Sequence, residues 1–293
     1  MVNIYEQITR NKIRSSFIIG FFVVFVILIA YLITISFNLD NSFLIVAIIF
    51  SIFSSGASYF WGDKLVLTLN QARPATRKEF FNFYTVTENL SLANRTPVPK
   101  IYVIDSPAPN AFATGHDPKN AIICATTGLL KKLNRTELES VIAHELSHIK
   151  NYDIRLMTIV SILIGTLSIL INMSSRSMFF GKNRDNDNSS SVLAIVGLIL
   201  IIFAPLIAQL IRLAISRRRE YFADASAVKL THQPQGLIDA LTKISQDPEK
   251  LETASTATAS LYISNPFKGN KFASLFSTHP PIEDRIKALQ QML

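Results

Sequence analysis

Cysteine is nearly absent from this chain. A single residue, Cys124, in 293 excludes an internal disulfide, and its place in an apolar, strand-like stretch makes it a small hydrophobic filler and not a nucleophile. Charge is scarce as well: 17% of the residues are Asp, Glu, Lys or Arg, where a soluble domain carries about a quarter. Hydrophobic residues make up 49% and the mean hydropathy is +0.30, so much apolar surface faces something other than a core. With 10 glycines and 12 prolines the chain is neither fibrous nor of low complexity. A net charge of +8 and a pI near 9.6 would suit a nucleic-acid binder, but no nucleic-acid motif accompanies them. The placement of the charges points to a membrane instead.

Residues 1–16 are polar and basic (Arg10, Lys12, Arg14), and Phe17 to Phe37 then runs without a charge. As a helix that run is about 31 Å long, enough for the hydrocarbon core. It exceeds the apolar region of a signal peptide, and no small-x-small cleavage site follows it. After a short turn at 38–42, Phe43 to Trp61 returns and ends on the interfacial cluster Tyr59-Phe60-Trp61. Two further apolar runs, Leu156–Met173 and Val192–Ile215, flank a polar loop at 174–191. Their reading as spanning helices competes with a buried or partly inserted hairpin, because Pro205 and Arg212 interrupt the second. Lys and Arg concentrate in 62–155 and 216–293 and beside the membrane ends (Arg10, Lys12, Arg14 and Arg217-Arg218-Arg219), whereas 38–42 has none. By the positive-inside rule both termini and both soluble segments are cytoplasmic. Four regions follow: 1–61, an N-terminal segment and first transmembrane hairpin; 62–155, the first part of a catalytic domain; 156–215, a second hairpin; and 216–293, the second part of the catalytic domain.

Within 62–155 the pattern predicts a helix over Arg73–Leu92, strands at Ile101–Asp105, Ala111–Thr114 and Ala121–Ala125, and a short helix near Gly128–Leu133. The strands at 111–114 and 121–125 are joined by a turn at Gly115-His116-Asp117-Pro118. The fold class is thus mainly α with a small β-sheet. Next comes a helix whose start is marked by two alternative capping pairs, Asn134 with Glu137 or Thr136 with Glu139. That helix carries His144-Glu145-Leu146-Ser147-His148, and in a chain with five histidines an H-E-x-x-H match is seldom accidental. Residues four apart stand one above the other on a helix, so His144 and His148 offer two imidazoles to one zinc ion, with Glu145 placed to act as a base on water there. Catalytic zinc commonly takes three protein ligands, and Glu220 in Arg219-Glu220-Tyr221-Phe222-Ala223-Asp224 is the candidate third. Asp224, one turn on, is placed to accept the free N–H of a ligating histidine. Asp153 is expected to anchor the exit of the H-E-x-x-H helix through Arg155 or Lys150, while His116 and His232 read as solvated loop residues.

These motifs resemble the HtpX-type membrane metalloproteases, relatives of the prenyl-protein (CaaX) endopeptidases. The resemblance rests on H-E-L-S-H-I-K-N-x-D and on R-R-x-E-x-x-A-D after a hydrophobic hairpin. It extends to Pro109-Asn110-Ala111-Phe112-Ala113-Thr114-Gly115, to Thr126-Thr127-Gly128-Leu129-Leu130 and to Thr278-His279-Pro280-Pro281 with Arg285, and so covers nearly the whole chain. It implies a zincin-like (gluzincin, HExxH…E) catalytic domain in the cytoplasm, a His2Glu set holding one zinc per chain, and a bacterial cytoplasmic (inner) membrane location. It further implies four transmembrane helices and a strand at Asn110, Ala111, Phe112 and Ala113 along which an extended substrate adds. His279 is either a donor to the tetrahedral oxyanion, with Arg285 helping to hold the site, or a structural turn histidine beside an Arg285 paired with Glu283 or Asp284 on the surface. The expected partners are polypeptides, chiefly membrane proteins, and the lipid bilayer.

The function these residues imply is hydrolysis of misfolded or damaged membrane proteins at the cytoplasmic membrane face. A processing peptidase dedicated to one substrate class is the second reading, and an idle scaffold that keeps zinc for structure the third. A scaffold has no use for Glu145.

Overall fold

The computed structural model describes residues 4–37, 40–165, 217–255, 258–266 and 280–293. The expected runs at 166–173 and 192–215, the loop at 174–191 and His279 lie outside these residues.

Two long helices open the chain, α1 (Ile4–Phe37) and α2 (Asn41–Leu69), and both are long and apolar enough to cross a membrane. Asp40 caps α2, its carboxylate accepting from the Ser42 N–H at 2.8 Å. Large side chains on both helices face outward, among them Val24, Ile49 and Phe53 at 64%, 62% and 68% exposure. A continuous band of this kind is lipid-facing surface, since a water-soluble domain seldom exposes so large an apolar patch. Helix α2 does not stop at the aromatic cluster: it continues to Leu69, where the buried Asn70 side chain donates to the Val66 carbonyl.

The expected helix over Arg73–Leu92 is corrected. Arg73–Pro74 form a short strand, β1, antiparallel to Tyr102–Val103, and the helix α3 begins only at Phe81 (Phe81–Asn94). A residue before proline is pushed out of the helical region, and proline is tolerated on an edge strand. Arg73 then bridges Asp105 and Glu79 at 2.7 Å each.

The sheet has order β1-β2-β4-β3, with β2 (Lys100–Ile104) parallel to β4 (Ile122–Thr126) and β3 (Ala111–Thr114) antiparallel to it. Gly115 turns β3 toward β4 with φ +129°, and a Cβ there would lie 2.5 Å from the Asn120 carbonyl oxygen. Cys124 is fully buried in β4, and burial pushes its thiol well above the usual range, so it is the inert filler expected. A short helix, α4 (Thr127–Lys132), leads to α5 (Arg135–Lys150). Of the two capping alternatives the structure adopts Asn134 with Glu137: the Asn134 side chain accepts from the Glu137 N–H at 2.9 Å and Glu137 accepts from the Asn134 N–H at 2.8 Å.

Helix α5 is the centre of the domain, buried from Glu137 to Ile149 except at Glu139. The sheet, α3, α7 (Arg217–Thr231) and α8 (Pro234–Gln246) pack around it, and α9 (Ile282–Gln290) packs on α7 and α8. Val141, Ile142, Leu146, Ile149, Ile123, Leu237 and Leu241 share one core. Two residues after α5, with Tyr152 at φ +59°, the chain re-enters a helix, α6 (residues 153–165). All of 156–164 is buried, against α1 through Phe22 and against Tyr59 of α2.

Candidate active site

Successive turns of α5 put His144 and His148 on one face, and α7 lays Glu220 across them. The Nε2 atoms of the two histidines are 3.2 Å apart. Glu220 Oε2 lies 3.7 Å from His144 Nε2, and Oε1 lies 3.6 Å from His148 Nε2. All three residues are at least 97% buried.

The tautomers follow from what the other ring nitrogens touch. His144 Nδ1 is 2.9 Å from Asp224 Oδ1, and His148 Nδ1 is 3.0 Å from Asp153 Oδ2. Ionised carboxylate oxygens only accept, so each Nδ1 carries the proton and each Nε2 presents a lone pair. Two imidazole lone pairs and a carboxylate therefore converge on one buried point. Such an arrangement is repulsive unless a cation occupies the centre. Ligands at about 2.0–2.1 Å from zinc in tetrahedral geometry lie about 3.3 Å from one another, in the range seen here. The residues fit a zinc ion.

The surroundings of His148 favour its protonated form. Burial works against its charged form, but the bond to Asp153 and the charges of Glu220 and Glu145 more than offset this, pushing it up to about 9. Metal binding has to displace that proton. Glu145, on the same helix and 98% buried, is raised by burial, with Glu220 acting in the same direction and the histidines and Arg285 against it. A carboxylate lifted in this way is a better proton acceptor.

Arg285 is the largest fully buried side chain among the described residues. It does not pair with Glu283 or Asp284 on the surface: Nε and Nη2 bind Asp224 at 2.9 and 2.6 Å, and Nη1 donates to the Ile263 carbonyl at 3.1 Å. Burial would raise the Asp224 carboxyl, but Arg285 and His144 hold it well below the usual carboxylate range. Asp224 is thereby kept as an anion that takes the His144 N–H.

Asp153 is where reading the sequence fell short. It does not anchor to Arg155 or Lys150; Arg155 donates to the His116 carbonyl and Lys150 to Asn94. The left-handed turn at Tyr152 swings its carboxylate back under His148, which no local pattern announces. Just before β3, Asn110 donates to the Ser264 carbonyl and accepts from the Ser264 N–H, and on β3 Phe112 is buried against Tyr262. Asn110 turns its carbonyl to β4, so by strand alternation the backbones of Ala111 and Ala113 point to the outer edge. There the Ala111 carbonyl already accepts from the Ile263 N–H at 2.9 Å. His116 is half-buried next to Asn120 and His232 is exposed; neither joins the metal-ligand cluster.

The model of Peptidase family M48 matches residues 83–293. The chain belongs to this family. A protein named Protease HtpX homolog from Dictyoglomus turgidum is 45% identical over 288 residues, covering 98% of this chain and 94% of the relative. Proteins of the same name from Caldanaerobacter subterraneus subsp. tengcongensis and Streptococcus uberis are 44% and 43% identical, covering 99% of this chain and 98% and 100% of their own. Among solved structures, the crystal structure of S. mikatae Ste24p aligns with a TM-score of 0.49 at 22% identity, over 99% of this chain and 67% of that one. As a member of family M48 the chain is a metalloprotease, and α1 and α2 give it a membrane anchor.

Proposed function

We propose that this M48 protein is a zinc-dependent endopeptidase that cleaves misfolded or damaged membrane proteins at the cytoplasmic membrane face. The observation that carries the reading is the convergence of the two Nε2 lone pairs and Glu220 on one buried point. His144, His148 and Glu220 would hold one zinc per chain. Bound there, zinc supplies Lewis-acid chemistry, acidifying water and polarising the scissile carbonyl. Glu145 takes the proton of the attacking water on its carboxylate and delivers it to the leaving amine. Asp224 and Asp153 hold the protons of the two Nδ1 atoms and so keep both rings in the ligating tautomer. Arg285 fixes Asp224. His279, six residues earlier in the chain, is assigned as a donor to the oxyanion on the grounds of its motif. The outer edge of β3 at Ala113 is assigned to the backbone of an extended substrate, with Ala111 beside it on that edge, already joined to Ile263, and Asn110 and Phe112 shaping it from the core side.

Helix α1 has 34 residues, about 51 Å of rise, and overshoots a hydrocarbon core of about 30 Å. Its first turns therefore stand outside the bilayer, on the side of the metal ligands, because Asn11 bonds the residues just after α5. With the positive-inside charges, this supports a cytoplasmic N-terminus; the third and fourth spans are assigned from the apolar runs of the sequence alone. Tags at both ends should resist protease added to intact cells, and one near Asn186 should be cut; protection at Asn186 would turn 156–215 into a hairpin that does not span.

Zinc analysis tests the ligand set. Glu220→Gln is expected to weaken zinc binding by about 10- to 100-fold or more, since even residues one bond away from a ligand have effects of that size. Unchanged affinity in that variant would remove Glu220 from the set. Comparing the proteins of membranes with and without active enzyme separates broad quality control from dedicated processing: many unrelated substrates support the first, a single class the second.

A further inference from the structure

Asn11 belongs to the N-terminal turns of α1, yet it is 96% buried against residues some 140 positions away. Its side-chain nitrogen donates twice, to the Asn151 carbonyl at 3.0 Å and to Asp153 Oδ1 at 2.7 Å. Both partners are acceptors, so the amide orientation is fixed by the contacts themselves. The other oxygen of the same Asp153 carboxylate, Oδ2, is the one 3.0 Å from His148 Nδ1. A continuous path, Asn11 to Asp153 to His148, thus joins the start of the first membrane helix to the metal-ligand cluster. One residue along, Lys12 Nζ sits 4.4 Å over the Tyr152 ring, so α1 grips both sides of the turn that carries Asp153.

We propose that Asn11 is a positioning residue for the metal site, and that α1 completes the site as well as anchoring it. This rests on the reading of His144, His148 and Glu220 as zinc ligands. The physical reason lies in the freedom of Asp153. An aspartate carboxylate turns about two side-chain bonds; the short bond from Asn11 pins Oδ1 and so aims Oδ2 at His148. Arg219 also pairs with Oδ1, but its Nη1 stands at 3.6 Å, longer than the 2.7 Å bond from Asn11 and beyond ordinary hydrogen-bond length. Removing the amide lets the carboxylate turn toward Arg219, and the His148 ring loses its fixed orientation. The effect is assigned to the bond with Asp153, and the double-mutant cycle separates it from the second bond, to the Asn151 carbonyl.

The test is a double-mutant cycle on the full chain in detergent, reading zinc affinity by chelator competition and the zinc dissociation rate. Asn11→Ala is expected to weaken zinc about 10-fold, at the lower end of the range for residues that orient a ligand. Asn11→Leu, which keeps the branched shape and loses both donors, should do the same; a packing role would make it milder than Ala. Asp153→Ala should also weaken zinc, and adding Asn11→Ala to it should change affinity by less than about 2-fold, because the path is already cut. Ser15→Ala, on the same helix and bonded among the described residues to its own turn at Asn11 O, serves as the control and should bind zinc normally. Normal affinity in Asn11→Ala, a mild Asn11→Leu, or a further 10-fold loss on top of Asp153→Ala would each overturn the role of Asn11 while leaving the zinc site standing. A parent protein without zinc would overturn the site assignment, and this inference with it.

Discussion

Glu145→Gln should keep its zinc and lose its peptidase activity. The substitution preserves size and shape in a position that is 98% buried, and it touches none of the three converging ligand atoms. It removes the only ionisable carboxylate of α5 that neither caps the helix, as Glu137 does, nor pairs on its surface, as Glu139 does with Arg135. Loss of a general base lowers the rate by a factor on the order of 10² to 10⁴. The measurement is cleavage of an unfolded model protein in detergent, with zinc determined on the same sample. A zinc-loaded Glu145→Gln that cleaves at the parent rate would sink the assigned mechanism and leave Glu145 a structural residue.

The second large effect is on stability. Arg285 and Asp224 form a buried, bidentate pair, and Asp224 also takes the His144 N–H. Arg285→Met removes one partner and strands a carboxylate in the core. Breaking a buried pair in this way costs about 3–5 kcal/mol, a large share of the roughly 5–15 kcal/mol that holds a domain together. Helix α9 should come away from α7 and α8, exposing Leu289, and the thermal midpoint in detergent should fall by many degrees together with zinc retention. Arg285→Lys should be intermediate, because an ammonium restores the charge but not the planar two-bond fit to the carboxylate. An Arg285→Met protein with the parent's midpoint would mean that Asp224 is stabilised by something other than this guanidinium.

Much of this site is written in local patterns. The H-E-x-x-H helix is legible because a capping pair and a 3.6-residue apolar period agree on where it starts and which face is buried. The strands expected at 101–105, 111–114 and 121–125 lie at 100–104, 111–114 and 122–126, legible to within a residue because β-branched and apolar runs are bounded by turn residues. What escapes local reading is whatever a distant partner decides. The strand at Arg73–Pro74 is two residues long and exists only because Tyr102 and Val103 are there to pair with it. For Arg285 the sequence leaves a site role and a surface pairing both open, and only the meeting of α9 with α7 shows that its carboxylate is Asp224. Asp153 depends on one left-handed residue, Tyr152, and Asn11 on the return of the chain 140 positions later. Side chains that carry the chemistry, and Asp224 one turn beyond Glu220, are thus visible in sequence, whereas Asp153 and Asn11 become visible only when the elements pack.

The central claim is that His144, His148 and Glu220 hold the metal on which hydrolysis depends. Elemental analysis of the purified full chain tests it most directly, run on the parent and on His144→Ala in parallel. The account predicts one zinc per chain in the parent, and in His144→Ala neither zinc nor cleavage, because a ligand is gone from a buried set of three. Full zinc occupancy in His144→Ala, or undiminished cleavage by the parent after its zinc is stripped, would contradict it.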